Sequence, residues 1–318
     1  MEYRTMGGSG LKVSLAGLGC NNFGRRVDQR GTRTVVDAAI DAGITLFDTA
    51  DIYGASLSEK YLGRALGARR QDVVVVTKFG LPMRAGLGAR EDVNLGSRRY
   101  AIAACEASLG RLGSDYIDLY LLHTPDRETP IAETLDAMSR LVDQGKVRYI
   151  GCSNFAGWQI ADADWQARSD GSQRFIAAQN EWSLLERDIE AEVVSACERF
   201  GLGVMPYFPL ASGLLSGKYK RGRKPPRGAR ITADANDDRA LLSDANFTKV
   251  EALEAWAAKR GHGLLELAIA WLASRPVVST VIAGATKARQ VKANVAATLG
   301  WRLDTGEMAA VDAILKGG

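Results

Sequence analysis

Cysteine is scarce in this chain: Cys20, Cys105, Cys152 and Cys197 are the only four in 318 residues, they lie far apart, and no CxxC pair occurs. That pattern excludes a disulfide-stapled framework and a thiol metal or redox motif, and it predicts buried free thiols in a reducing cytoplasm. Histidine is scarcer still, with His123 and His262 alone. Two imidazoles, one of them between glycines, are too few for a metal-dependent barrel hydrolase, so no metal is expected. No apolar run approaches the ~18 residues that a membrane helix needs. The start, MEYRTMGGSGLK, lacks the basic-then-apolar pattern of a secretory signal. Basic residues exceed acidic ones by 41 to 37, a formal charge of +4, too mild a balance to argue for nucleic acid or a membrane as partner. No linker rich in Pro, Gly or Ser divides the chain, which predicts one domain over 1–318. Oligomeric state is left open.

What the chain does have is apolar residues in a repeated strand-then-helix order, at 46% hydrophobic and 25% charged content. Eight segments read as strands: Leu15 to Gly19, Ile44 to Phe47, Val73 to Lys78, Tyr116 to Leu122, Val147 to Ile150, Phe175 to Gln179, Gly203 to Pro206 and Thr280 to Ile282. Helical periodicity fills the gaps, as in Thr32 to Ala42 before Gly43, Arg98 to Leu112, Asn246 to Arg260 and Leu264 to Ser274. Eight alternating units predict an α/β fold, a (β/α)8 TIM barrel, with a doubly wound sheet as the structural alternative. Tyr3 to Ser14, turning at Gly7 to Gly10, reads as a β-hairpin plugging the barrel's bottom. The polar, aperiodic tract from Gly217 to Asp238 reads as a long mobile loop after strand seven.

Three of these strands run out at polar residues: Asp48, Lys78 and His123, with Tyr53 just beyond the first. Singly, each has an ordinary explanation as a turn former, a solvated strand end or a packed ring. Together on one barrel face they form a proton-transfer set. A phenol with a pKa of about 10 is a poor acid near pH 7. A lysine ammonium favours the phenolate, an aspartate holds the lysine ionised and aimed, and an imidazole donates to a substrate oxygen or completes the proton path. The set predicts a reductase.

The sequence resembles the aldo-keto reductases. The resemblance is carried by FDTADIYG, VVVVTKFG, DLYLLHTPD, IGCSNF, AAQNEWSLLER, YFPLASGLLSGKY and VIAGATKARQVKANV, in family order over nearly the whole chain. It is strongest to the long-chain bacterial members and to the potassium-channel β-subunit branch.

A proton donor of this kind needs a hydride source, and no side chain supplies one, so a nicotinamide cofactor is implied. GLGCNNFG is a near miss to the dinucleotide glycine fingerprint, with Asn22 in place of the third glycine. In a barrel the cofactor instead lies across the strand ends. Ser153, Asn154 and Gln179 can hydrogen-bond a carboxamide, and Tyr207 offers a face for the nicotinamide ring. The resemblance implies the same four positions, adds Cys20, Asn21, Asp48, Phe208, Pro209 and Ala211 as further cofactor contacts, and matches Leu210, Ser212 and Gly213 to the pyrophosphate stretch. Seven basic residues and no acid lie between Lys218 and Arg230. Such a run is ordinarily a solvated face; read as a clamp for an adenosine 2'-phosphate, it favours NADP(H) over NAD. The resemblance implies Lys218 and Arg230 for that phosphate, and Gly284, Thr286, Gln290 and Asn294 for the adenosine side. Three departures stand near the site: Trp182 where relatives often have Tyr, Phe208 where Ser is common, and Ala293 where many carry Glu. Phe23, Phe79 and Trp182 predict an apolar pocket for an uncharged carbonyl or alcohol.

These observations predict NADPH-dependent, reversible reduction of an aldehyde or ketone, with Tyr53 as the acid. An NADP-sensing regulatory subunit with little turnover is the alternative. A short-chain dehydrogenase site, which needs lysine four residues after tyrosine, is excluded by Leu57.

Overall fold

The computed structural model describes residues 1–231 and 239–316. Two short strands come first, β1 (Tyr3–Thr5) and β2 (Lys12–Ser14), paired antiparallel with Arg4 opposite Val13. Eight parallel strands follow: β3 (Ala16–Gly19), β4 (Leu46–Asp48), β5 (Val74–Phe79), β6 (Ile117–Leu122), β7 (Val147–Ser153), β8 (Ala177–Gln179), β9 (Gly203–Val204) and β10 (Val281–Gly284). From β3 to β9 each pairs with the next in chain order, and β10 pairs with β3. The remaining seam, between β9 and β10, is joined where Val204 bridges Val278, Ser279 N–H donates to Val204 O at 3.0 Å and Ile282 N–H to Pro206 O at 3.0 Å. The sheet is therefore a (β/α)8 barrel, and the doubly wound alternative falls.

Helices α1 (Gln29–Asp41), α2 (Leu57–Leu66), α3 (Arg98–Leu112), α4 (Ile131–Asp143), α5 (Gly157–Asp170), α6 (Val193–Phe200), α7 (Asp244–Ala258), α8 (Leu264–Ala273), α9 (Ala288–Gly300) and α10 (Thr305–Lys316) surround it. Packing runs from α1 to α6 in order, with α9 returning to α1, while α7 and α10 are additions to the eight barrel helices. Local chemistry sets the ends. The Ser97 hydroxyl accepts from Tyr100 N–H to start α3, and Gly113, at φ 61°, stops it where the sequence predicts. Helix α1 begins three residues earlier than its apolar periodicity implies, because the Asp28 side chain caps Gly31 N–H.

The barrel interior holds Leu46, Val76, Leu119, Leu121, Ala177, Met205 and Ile282, closed below by Met6 and Val13 of the hairpin. Ser279 Oγ donating to Thr5 O and Gly8 N–H donating to Gly201 O fix the hairpin there, as the expected plug. A larger apolar layer lies between strands and helices and includes all four unpaired cysteines.

The polar tract after β9 combines exposed residues with apolar anchors in its described part; residues 232–238 lie outside the described residues. Tyr219 and Ile231 are buried, Ile231 N–H donates to the Tyr219 hydroxyl at 3.0 Å, and Lys220 and Arg221 pair with Glu254, Glu251 and Asp244 of α7. Apolar anchors and ion pairs hold this stretch against the barrel.

Candidate active site

Every parallel strand ends at one rim, and the chain continues to pair just past the strand ends. Thr49 N–H donates to Val76 O at 2.8 Å and Asp51 N–H to Lys78 O at 3.1 Å, so the loop after β4 runs along β5 and carries Tyr53 over it. His123 N–H donates to Phe79 O at 2.7 Å, and Asn154 N–H to Gln179 O at 3.0 Å. These bonds fix the backbone under each polar side chain.

The four residues of the proton-transfer set meet. Lys78 is fully buried, and its Nζ lies 2.7 Å from Asp48 Oδ1, 2.7 Å from Thr49 O and 3.4 Å from the Tyr53 hydroxyl. Gln179 Nε2 donates to the same Asp48 oxygen at 2.8 Å. The Tyr53 and His123 rings stand edge-on, 5.8 Å apart between centroids. Burial alone pulls the lysine's pKa down, but the Asp48 carboxylate and the Tyr53 oxygen more than reverse this and leave it raised. Burial raises the Tyr53 phenol, and Lys78 offsets only part of that rise. Lys78 thus favours the phenolate as expected, but burial outweighs it and Tyr53 keeps its proton near neutral pH. His123 is pushed down to about 3, by burial first and then by the Lys78 charge, so its imidazole is neutral, with one donor and one acceptor nitrogen. Its Nδ1 is buried without a hydrogen-bond partner among the described residues.

Tyr53 and His123 open into a cavity of about 550 Å3 that runs across the rim, a size in the range of small-molecule and cofactor sites. Asn21, Asp48, Ser153, Asn154, Gln179, Tyr207, Phe208, Pro209 and Leu210 line it, as do Ser212, Gly213, Lys218, Arg230, Gly284, Thr286, Gln290 and Asn294. Asn154, at φ 61°, donates to His123 O and accepts from the Tyr207 hydroxyl at 2.9 Å, which fixes the Tyr207 ring. Gln290 Oε1 accepts from both Thr286 N–H and its hydroxyl at the start of α9.

Five residues expected at the cavity stand elsewhere. Cys20 is fully buried, with its thiol toward Leu18 O, and Ala211 is buried in the outer layer. Phe23, Phe79 and Trp182 also belong to the core and do not line the pocket: Phe79 stacks on Tyr120 at 4.7 Å, and Trp182 packs on Trp271 while its indole N–H donates to Glu190. Apolar lining comes instead from Leu81, Leu265 and Ile282.

Sequence reasoning missed Arg26 and Asn22. Arg26 lines the cavity with Lys218 and Arg230, and its guanidinium donates to Gly228 O at 2.7 Å. Its signal was the Arg25-Arg26 pair directly behind the loop after β3. Burial, then Arg26 and Arg230, push the Lys218 ammonium down, so three cations share one end of the cavity. Lys218 packs over Gly213, where an added Cβ would collide with the lysine's end, so this glycine keeps a close backbone wall (φ 96°).

A closed barrel with a polar, lysine-backed tyrosine at the rim of its strands is the frame of an oxidoreductase acting on carbonyl groups. The pattern of the aldo/keto reductase family matches residues 16–316. Over 304 residues the chain is 37% identical to a probable voltage-gated potassium channel subunit beta of Oryza sativa subsp. japonica, covering 93% of this chain and 91% of that one. It is 36% identical to the uncharacterized oxidoreductase YrpG of Bacillus subtilis (strain 168), with the same coverage. To the L-glyceraldehyde 3-phosphate reductase of Escherichia coli (strain K12) it is 31% identical, over 98% of this chain and 92% of that one. The chain belongs to the aldo/keto reductase family, whose members generally use NAD(P)H. The donor set fits such a cofactor: amide and hydroxyl groups lie near Tyr53, and a cationic end is walled by Gly213. Among the described residues no helix is long and apolar enough to cross a membrane, and no cluster of His, Cys, Asp and Glu could hold a metal.

Proposed function

We propose that residues 1–318 work as one barrel domain that reduces an aldehyde or ketone to an alcohol with NADPH, reversibly, in the cytoplasm. The observation that carries this reading is the Tyr53 hydroxyl 3.4 Å from a buried lysine that is itself bonded to Asp48, all beside a neutral histidine. When bound, NADPH supplies the hydride that the carbonyl carbon receives. Tyr53 gives its proton to the carbonyl oxygen, and the phenolate left behind faces the Lys78 ammonium, which stabilises it. Asp48 keeps Lys78 charged and aimed. His123, neutral, donates an N–H to the substrate oxygen and so orients the carbonyl.

Ser153, Asn154, Gln179 and Tyr207 are the groups to hold the nicotinamide. Leu210, Ser212 and Gly213 serve the pyrophosphate, and Gly284, Thr286, Gln290 and Asn294 serve the adenosine. Arg26, Lys218 and Arg230 support NADPH over NADH, because three cations at one end of the cavity reward a dianion. Four unpaired thiols suit a reducing compartment.

The test is a panel of aldehydes and ketones followed by cofactor absorbance, with NADPH beside NADH. Tyr53→Phe is expected to lower kcat by roughly 10²–10⁴-fold, the usual worth of a positioned general acid, while still binding cofactor. Near-full turnover in that variant would overturn the assignment. A second reading, an NADP-binding regulatory subunit, is favoured by the likeness to the plant channel subunit. It predicts slow cofactor exchange, no turnover on any carbonyl and a stable protein partner.

A further inference from the structure

We propose that Phe208 is a positioning residue for Arg230: its ring holds the guanidinium at the cationic end of the cavity, where it selects a 2'-phosphorylated adenosine ligand. The inference rests on the NADPH reading above.

Arg230 Cζ lies 4.5 Å from the Phe208 ring centroid, inside the ~6 Å reach of a cation–π contact. The ring does not float. It meets Tyr207 edge-on at 5.2 Å and 82°, and Tyr207 is anchored through its hydroxyl to Asn154 just past β7. A chain of fixed groups therefore runs from a strand end to the guanidinium. The Phe208 backbone sits at φ 52°, a conformation that costs a non-glycine residue, and its carbonyl accepts from Ala211 N–H at 2.9 Å. A tight turn at this point, rather than an extended chain, turns the ring toward the basic stretch. Phe208, Arg230, Lys218 and Arg26 all line the same cavity. A serine here would offer one hydroxyl to an anion; phenylalanine offers none and fixes a cation instead.

Dissociation constants for 2',5'-ADP and 5'-AMP, measured by titration calorimetry, separate the possibilities without using turnover. Wild type is expected to bind 2',5'-ADP more tightly. Phe208→Leu keeps bulk but removes the aromatic face, and is expected to weaken 2',5'-ADP about five-fold, the equivalent of ~1 kcal/mol for one such contact. It should change 5'-AMP less than about two-fold, and Phe208→Tyr should restore the 2',5'-ADP affinity. Unchanged 2',5'-ADP binding in Phe208→Leu, or equal weakening of both ligands, would overturn the role of the ring while leaving the NADPH reading intact. Equal affinity of the wild type for the two ligands would overturn that reading itself, and the inference with it.

Discussion

Replacing Asp51 with asparagine is expected to stabilise the protein, and by an amount that grows with pH. The Asp51 side chain is fully buried, and neither carboxyl oxygen has a hydrogen-bond partner among the described residues. The charged groups around it are Glu59 on α2, Arg111 on α3 and Lys78 on β5, and the Tyr100 phenol on α3 also feels it. Glu59 is committed elsewhere, accepting from Thr77 and Arg111 at 2.5 Å each, and the Arg111 and Lys78 charges offset only part of the cost of burying Asp51. Burial first, and Glu59 second, push its carboxyl from the ordinary 3.8 to about 7. Between those values the folded protein keeps a proton that the unfolded chain releases, so stability present below about pH 4 is lost as pH rises toward 7. At ~1.4 kcal/mol per pH unit, the loss at pH 8 is about 4 kcal/mol, and at pH 5 about 1.5 kcal/mol. Asparagine mimics the neutral carboxyl and carries no such penalty. With an unfolding entropy of ~2.1 cal/mol/K per residue, a 318-residue chain should gain about 6 °C in Tm at pH 8 and about 2 °C at pH 5. Thermal melts of both proteins from pH 5 to 8, followed by circular dichroism, provide the assay. A difference in Tm that stays constant over that range would refute the reasoning.

Because His123 stays neutral down to about 3, no acid limb near pH 6.5 is expected in the kcat profile of carbonyl reduction; an imidazole titrating near 6.5 by NMR would contradict its burial. Helices α2 and α3 meet at Gly63, where an added Cβ would collide with the Leu112 carbonyl oxygen. Gly63→Ala must push the helices apart and is expected to destabilise by about 2 kcal/mol, in the range of overpacked contacts, measurable by urea unfolding; an unchanged midpoint would show that the pair yields freely.

Much of the fold was legible because buried parallel strands are nearly continuous apolar runs, and all eight were found with ends shifted by a few residues. The largest shift is at β7, which runs to Ser153 rather than stopping at Ile150, while β9 covers only Gly203–Val204 although Met205 N–H and Tyr207 N–H still donate to Ala178 O and Asn180 O. The basic stretch was harder. Its seven residues look alike in sequence, yet Lys220 and Arg221 bind α7 while Lys218 and Arg230 line the cavity. That division depends on acids some 20 to 35 residues away, at Asp244, Glu251 and Glu254, which no local pattern reveals. Arg26 was hidden for a similar reason: it acts across the cavity on the Gly228 carbonyl.

The misplaced aromatics have a more local explanation, the two-residue alternation of a strand. In β5, Val76 faces the barrel interior whereas Val75 and Phe79 face the helices, so Lys78 takes the interior row and Phe79, one residue on, cannot. Leu46 sets the same parity for Asp48 in β4, Leu121 for His123 after β6, Ala177 for Gln179 in β8 and Met205 for Tyr207 after β9. In each case the polar residue stands two positions beyond an interior apolar one. The same side chains that fill the barrel therefore aim the proton-transfer groups, and the ladder pairing Asp48 with Val76 and Lys78 with Leu121 leaves the lysine's stem long enough to reach both Asp48 and Tyr53. A slip of one residue in β5 would carry Lys78 to the helix layer and bring Thr77 or Phe79 inside. Burial of Val76 and burial of Phe79 oppose that slip from the two faces, so the register that packs the core is also the one that holds an ammonium beneath the phenol.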